Sequence, residues 1–321
     1  MYIELPMAWW AHPFPRSRFH IGSSKLLRQV QEFYDGEVGV DWDRSILPDA
    51  EADGVPPAEP EEEPRADPQQ RTAALTRRVD SLLVRPEPTA TQRARNIHSA
   101  SRLIVESFME APSWSNIRTA KEAVGHVVEV IAENPPLIQS LLAVSTHDSS
   151  TYTHTVNVGV YSIALATQLY RGSSAHDLAE LGAGFFLHDL GKARIDRSIL
   201  NKRGPLNPDE LATMRKHPEI GYEILQQTQA DTAECRTIVL QHHERFDGTG
   251  YPFGLTGEQI SEYARICSVA DVFDALVSAR PYKPSMNSFT ALRIMRDEML
   301  DHFQREVFEC FIHLFEYRKA A

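Results

Sequence analysis

Residues 49–70 set the terms for the rest of the chain. They hold eight acids (Asp49, Glu51, Asp53, Glu59, Glu61, Glu62, Glu63 and Asp67) and five prolines against a single base, Arg65. Like charges repel, prolines remove backbone donors, and almost nothing apolar is available to bury. Such a stretch is expected to be extended rather than packed. It divides the 321-residue chain into a small unit over 1–48, a linker over 49–72 and a large unit over 73–321. The stretch 49–70 also supplies seven of the eleven net negative charges, so the remainder is close to neutral. A solvated linker is the preferred reading of the acid run over a docking tail.

In the small unit, Tyr2-Ile3-Glu4-Leu5 and Phe19-His20-Ile21 read as strands. Ser24 to Tyr34 carries Leu26, Leu27, Val30 and Phe33 at helical spacing. Gly36 can end that helix, after which Val38, Val40 and Trp42 alternate as in a half-buried strand. A unit this small is marginal alone, so it is expected to dock elsewhere or to pair with a second copy.

The large unit reads as helical. Apolar residues recur at three and four in Leu103, Val105, Phe108 and Met109, and again in Val124, Val127, Val128 and Ile131 before Pro135-Pro136 stops the run. Further helices are predicted from about Tyr152 to Tyr170 and from Asp177 into Phe186. Asn207-Pro208-Asp209-Glu210 has the form of a capping box with proline at the first helical position, opening a helix to about Lys216. Pro218 can open the next. Ala264 to Ser278 and Ser288 to Met299 are also helical by pattern. No β-run of comparable length occurs, so a helical bundle is expected.

The formal net charge of −11 argues against a nucleic-acid polymer as partner, which asks for a basic face. A small phosphorylated ligand needs only a few local cations. Cys235, Cys267 and Cys310 are far apart and form no C-x-x-C pair, as expected of reduced structural cysteines. The start MYIELPMAWWAHPF lacks a basic region followed by an apolar one. No uninterrupted apolar run approaches the ~18 residues of a membrane span. A cytoplasmic location without a membrane partner is expected.

The chemistry resides in histidines and aspartates. His188-Asp189 ends the apolar run Ala183-Gly184-Phe185-Phe186-Leu187 and continues into Gly191 and Lys192. A lone His-Asp pair is ordinarily a surface pair. Here a glycine ends the helix, and a lysine suited to an anion stands beside the acid. His217 lies between a capped helix and Pro218. His242 and His243 are adjacent, and on a helix they would point in different directions, so that they contact two metals, or one metal and one group behind another ligand. Asp271 lies in a helix that is apolar on several sides, a costly setting for an unpaired carboxylate, with Asp274 one turn later on the same face. His154 opens another apolar helix. Each alone has an ordinary reading as a satisfied polar residue. Together, five imidazoles and two carboxylates suit iron, manganese, zinc, nickel or cobalt. Seven donors are too many for one tetrahedral ion and fit two ions sharing a carboxylate.

The run QHHERFDGTGYPFGL (Gln241 to Leu255) resembles the signature of the HD-GYP family, as do HDLGK at 188–192, HPEIG at 217–221 and ARICSVADVFDALVSARPYK at 264–283. Order and spacing agree over roughly residues 141–301. The first 48 residues more weakly resemble the small domain of unknown function that often precedes this module. The resemblance implies a mostly α fold, a bundle of the HD superfamily type behind a small α+β N-terminal domain. It implies metal-dependent hydrolysis of cyclic di-GMP to pGpG or GMP. His154, His188, Asp189, His217, His242, His243 and Asp271 fall on the family's metal-ligand positions, with Asp189 bridging. Lys192, Arg280 and Lys283 fall on substrate positions, and Asp189 and Lys192 are the expected catalytic pair. The cofactors implied are two divalent transition-metal ions, iron or manganese ahead of nickel, cobalt or zinc. The partners implied are cyclic di-GMP, a second copy of the chain, and a signalling protein meeting the loop of Gly250-Tyr251-Pro252, which otherwise shapes the active-site lip.

The chemistry expected of such a site is in-line attack of a hydroxide held between two ions, with Lys192 and the metals stabilising charge on the phosphoryl oxygens. Two rivals are an HD-type enzyme acting on another nucleotide and a cyclic di-GMP receptor without catalysis. Some members of the family bind a third ion through a glutamate one turn before the first histidine ligand. Ser150 occupies that position here and the nearest upstream acid is Asp148. Two ions per subunit are therefore expected.

Overall fold

The computed structural model describes residues 2–4, 18–21, 30, 39–41, 68–84, 89–145, 150–202, 204–230, 232–278 and 285–315. By its internal contacts the chain divides into two units, Met1–Arg65 and Ala66–Ala321.

In the first unit, β1 (Tyr2–Glu4), β2 (Arg18–His20) and β3 (Gly39–Asp41) form an antiparallel sheet of order β2-β1-β3. Ile3 sits opposite Phe19 on one side and Val40 on the other. The helix expected over Ser24 to Tyr34 lies, apart from Val30, outside the described residues, as do Gly36, Val38 and Trp42.

The second unit begins with α1 (Pro68–Leu83). The linker expected to reach residue 72 therefore gives way to helix at Pro68. Its final proline stands at the first helical position, where a missing N–H costs nothing, and the residues after it are good helix formers. Next come α2 (Ala90–Glu110) and α3 (Trp114–Ala132), each opened by a hydroxyl cap: Thr89 accepts from the Gln92 amide and Ser113 from the Asn116 amide. The short α4 (Leu137–Val144) follows the prolines that stop α3.

The central elements are α5 (Thr151–Leu169) and α6 (Leu178–Leu187). Both are buried on nearly every side, which explains why their sequences show little one-sided patterning. Around them lie α7 (Arg197–Leu200), α8 (Pro208–Met214), α9 (His217–Gln227), α10 (Ala233–Gln241) and α11 (Glu262–Val277). The last two helices are α12 (Ser288–Glu298) and α13 (Arg305–His313). The capping box at α8 forms as read: the Asn207 side chain accepts from the Glu210 amide, and the Glu210 carboxylate accepts from the Asn207 amide, both at 2.8 Å. The helix stops at Met214, one turn before His217.

An aromatic cluster locks α5, α11 and α13 together. The ring of Phe273 lies 5.4 Å from that of Tyr161, 5.2 Å from Phe311 and 4.9 Å from Phe315. Burying each such ring is worth about 1.5–3 kcal/mol, so the helices that bear His154 and Asp271 are held firmly side by side. Among the described residues, no single helix is long and apolar enough to cross a membrane.

Candidate metal centre

The seven donors converge from five helices or helix ends. His154 lies in the first turn of α5. His188 caps the C-terminus of α6, and Asp189 follows it. His217 opens α9, His242 caps the C-terminus of α10 with His243 next, and Asp271 lies within α11. Their donor atoms fall into two groups, each within 4.8 Å: Asp189, His217, His242 and His243 in one, His154, His188 and Asp271 in the other. The expected divergence of His242 and His243 does not occur. His242 keeps helical backbone angles as the cap of α10, yet the two rings lie 4.2 Å apart and share one group.

Three histidines are held in one tautomer by backbone. The Nδ1–H of His188 donates to the carbonyl of Phe185 at 2.8 Å and that of His217 to Met214 at 2.8 Å. His242 reaches Val239 at 3.0 Å and Ile238 at 3.2 Å. A neutral imidazole that donates through Nδ1 presents a lone pair on Nε2. All three lone pairs point inward, and the Nε2 atoms of His217 and His242 face each other at 3.2 Å. Nε2 of His188 and Oδ1 of Asp189 are buried without a hydrogen-bond partner. Buried polar atoms are ordinarily satisfied, and converging lone pairs repel unless a cation stands between them. The donor set thus fits divalent metal.

Asp189 is the hub. Its Oδ1 lies 3.3 Å from Nε2 of His217, and its Oδ2 lies 3.3 Å from Nε2 of His188 and 3.6 Å from Nε2 of His154. Burial alone would raise its pKa. Lys192, with Nζ 2.6 Å from Oδ2, outweighs burial and holds the carboxyl well below the usual carboxylate range. Asp271 is likewise depressed against burial, by the hydrogen bond from His154. Burial opposes charge on His154, yet hydrogen bonds to Asp271 and Asp274 carry it up to about 10. Burial brings His243 down to about 3 and pushes His242 well below its ordinary value.

A lip formed by residues 244–257 covers His243. The Tyr251 ring stacks on His243 at 4.7 Å, and the Arg215 guanidinium lies 5.3 Å from the Tyr251 ring centre. Glu244, almost fully buried, accepts from the amides of Phe253 at 2.7 Å and Leu255 at 3.0 Å. Its carboxylate anchors the lip, a role that its position beside His243 does not reveal in the sequence. Asp274, singled out only for sharing a face with Asp271, bonds to His154. Arg280, Lys283 and Asp148 lie outside the described residues.

A family model described as HD domain matches residues 131–307. A second, a domain of unknown function (DUF3391), matches residues 1–112. The second match runs well past residue 48, across the acidic stretch and through α2. A cyclic di-GMP phosphodiesterase of Pseudomonas aeruginosa is 35% identical over 309 residues, covering 95% of this chain and 71% of that protein. The cyclic di-GMP phosphodiesterase response regulator RpfG of Xanthomonas campestris is 36% identical over 224 residues, 69% of this chain and 58% of its own length. In fold, an HDG"Y"P protein of Bdellovibrio bacteriovorus superposes with a TM-score of 0.63 at 22% identity, over 77% of this chain and 79% of that one. With more than half of its length inside the first match and Gly250-Tyr251-Pro252 in the lip, the chain belongs to the HD domain family and, within it, to the HD-GYP type.

Proposed function

We propose that this chain is a phosphodiesterase that hydrolyses cyclic di-GMP at a site holding two divalent ions, iron or manganese. The observation that carries the reading is the convergence of three backbone-fixed Nε2 lone pairs on the buried, ionised Asp189, with Lys192 beside it. Bound ions would supply Lewis-acid activation of water and of the phosphoryl group. The chain's own residues do the rest. Asp189 and Asp271 provide fixed negative charge that needs no reorganisation. Lys192 stands where a phosphoryl oxygen developing charge can be met. Arg280 and Lys283 are assigned to the substrate's phosphates or guanines, with an Arg fork suited to either. The similarity to a cyclic di-GMP phosphodiesterase over 95% of this chain supports this substrate. The cytoplasm is the proposed location.

Further proposals concern partners. A second copy of the chain and a signalling protein are both assigned as partners, the latter at the lip, where Phe253 is 55% exposed. The whole reading is tested by incubating purified full-length protein with cyclic di-GMP, before and after chelation, and separating the products. Turnover to pGpG or GMP that is abolished by chelation and in Asp189→Ala is the expected result. Binding without turnover would establish a receptor instead. Turnover of another nucleotide alone would establish the second rival.

A further inference from the structure

We propose that Asp274 is a positioning residue, held in place by Asn157, that sets the tautomer of His154 and thereby the affinity of one ion only. The inference rests on the two-ion reading above. His154 differs from the three histidines fixed by carbonyls. It lies in the first turn of α5, and its Nδ1 bonds to the Oδ2 of Asp274 at 2.7 Å. That contact turns Nε2 toward Oδ1 of Asp271, 3.1 Å away. An ion would take the place of the proton on Nε2 while Asp274 keeps the other on Nδ1; without Asp274 the remaining proton could sit on either nitrogen, and the tautomer with Nε2–H has no lone pair to give.

Asp274 is fully buried and belongs to neither donor group. Its Oδ1 accepts from Nδ2 of Asn157 at 2.8 Å, and its Oδ2 also accepts from the Ser278 hydroxyl at 3.2 Å. Its oxygens are thus occupied by orienting contacts rather than aimed at the cluster. Because Asn157 sits one turn after His154 on α5, the carboxylate is gripped by two successive turns of that helix. A carboxylate behind a ligating imidazole fixes the ring and raises its basicity, and loss of such a group typically weakens metal binding by about 10–100-fold. Only the group of His154, His188 and Asp271 depends on this contact. The group of Asp189, His217, His242 and His243 does not touch Asp274.

The test is a manganese titration of the chelated full-length protein, counting ions by elemental analysis and resolving affinity classes by electron paramagnetic resonance. The wild type should bind two ions. Asp274→Asn keeps size and removes the charge. It should leave one class at wild-type affinity and weaken the other by about 10–100-fold. Asn157→Leu, which keeps the branched shape and removes the donor, should weaken the same class by a smaller factor. Two classes at wild-type affinity in Asp274→Asn, or equal weakening of both, would overturn the inference. If Asp274→Asn does not fold, Asn157→Leu decides in the same way: selective weakening supports the inference and unchanged affinities defeat it. A wild type that binds no ion would defeat the metal reading, and this inference with it.

Discussion

Nζ of Lys192 lies 2.6 Å from Oδ2 of Asp189, the oxygen that also faces His188 and His154. The lysine therefore sits one hydrogen bond from the hub rather than on the rim. Lys192→Met should lower hydrolysis of cyclic di-GMP by about 100-fold or more, as removal of one preorganised charge-stabilising donor does. Metal content by elemental analysis should stay at the wild-type level. Arg280→Ala should act differently, raising KM several-fold with kcat and metal content little changed. Loss of metal in Arg280→Ala would show that its assignment to the substrate is wrong.

Gly191 presses against the start of α9. A β-carbon there would overlap the carbonyl of His217 and the amide of Gly221, both of them backbone atoms that cannot rotate away. Gly191→Ala should force Asp189 and His217 apart. Less bound metal and a lower Tm, by elemental analysis and calorimetry, are the expected outcomes. A variant with wild-type metal content would show that the backbone can shift without cost to the centre.

His98, on α2, bonds through Nε2 to the carbonyl of Leu141 at 3.3 Å. Burial lowers its pKa and the carbonyl contact only partly restores it. The unfolded chain therefore binds this proton more readily than the folded one. The stabilising contribution is full above the ordinary histidine pKa of about 6.5 and is lost as pH falls below it. Tm should decline between pH 7 and pH 5, and His98→Gln should flatten that decline. An unchanged pH slope in the variant would exclude His98 as a contributor.

Ser150 is the N-cap of α5, its hydroxyl accepting from the Thr153 amide at 3.1 Å. The oxygen that stands one turn before His154 is thus committed to the helix. Ser150→Ala should cost about 1 kcal/mol of stability and leave the number of bound ions unchanged. Denaturant unfolding and elemental analysis check the two halves. Loss of an ion would place Ser150 in the centre after all.

Much of the centre was readable because its donors carry their own local signals. Glycine after His188-Asp189, the capping box before His217 and the GYP run after His242-His243 each mark a helix boundary, and the boundaries are where the donors sit. What the sequence hid was tertiary. Asp274 and His154 are 120 positions apart, and no local pattern joins them. Adjacent histidines on a helix are expected to diverge, and no local pattern in the sequence shows that these two rings meet. After His243 the lip folds back, with Gly250 seated where a β-carbon would overlap the backbone of Glu244 and Arg245. Composition also concealed the start of α1, since Pro68 reads equally as the last linker proline and the first helical residue.

The carbonyls that fix His188, His217 and His242 belong to Phe185, Met214, Ile238 and Val239, in the last turns of α6, α8 and α10. Three helices therefore end beside the same cluster of histidines, and each brings the negative end of its peptide dipole. That field attracts positive charge as such and is indifferent to which element carries it. Retention of a divalent ion is thus built into the backbone, and exchanging one metal for another leaves this part of the attraction intact. Selection among divalent metals would then fall to the side-chain donors.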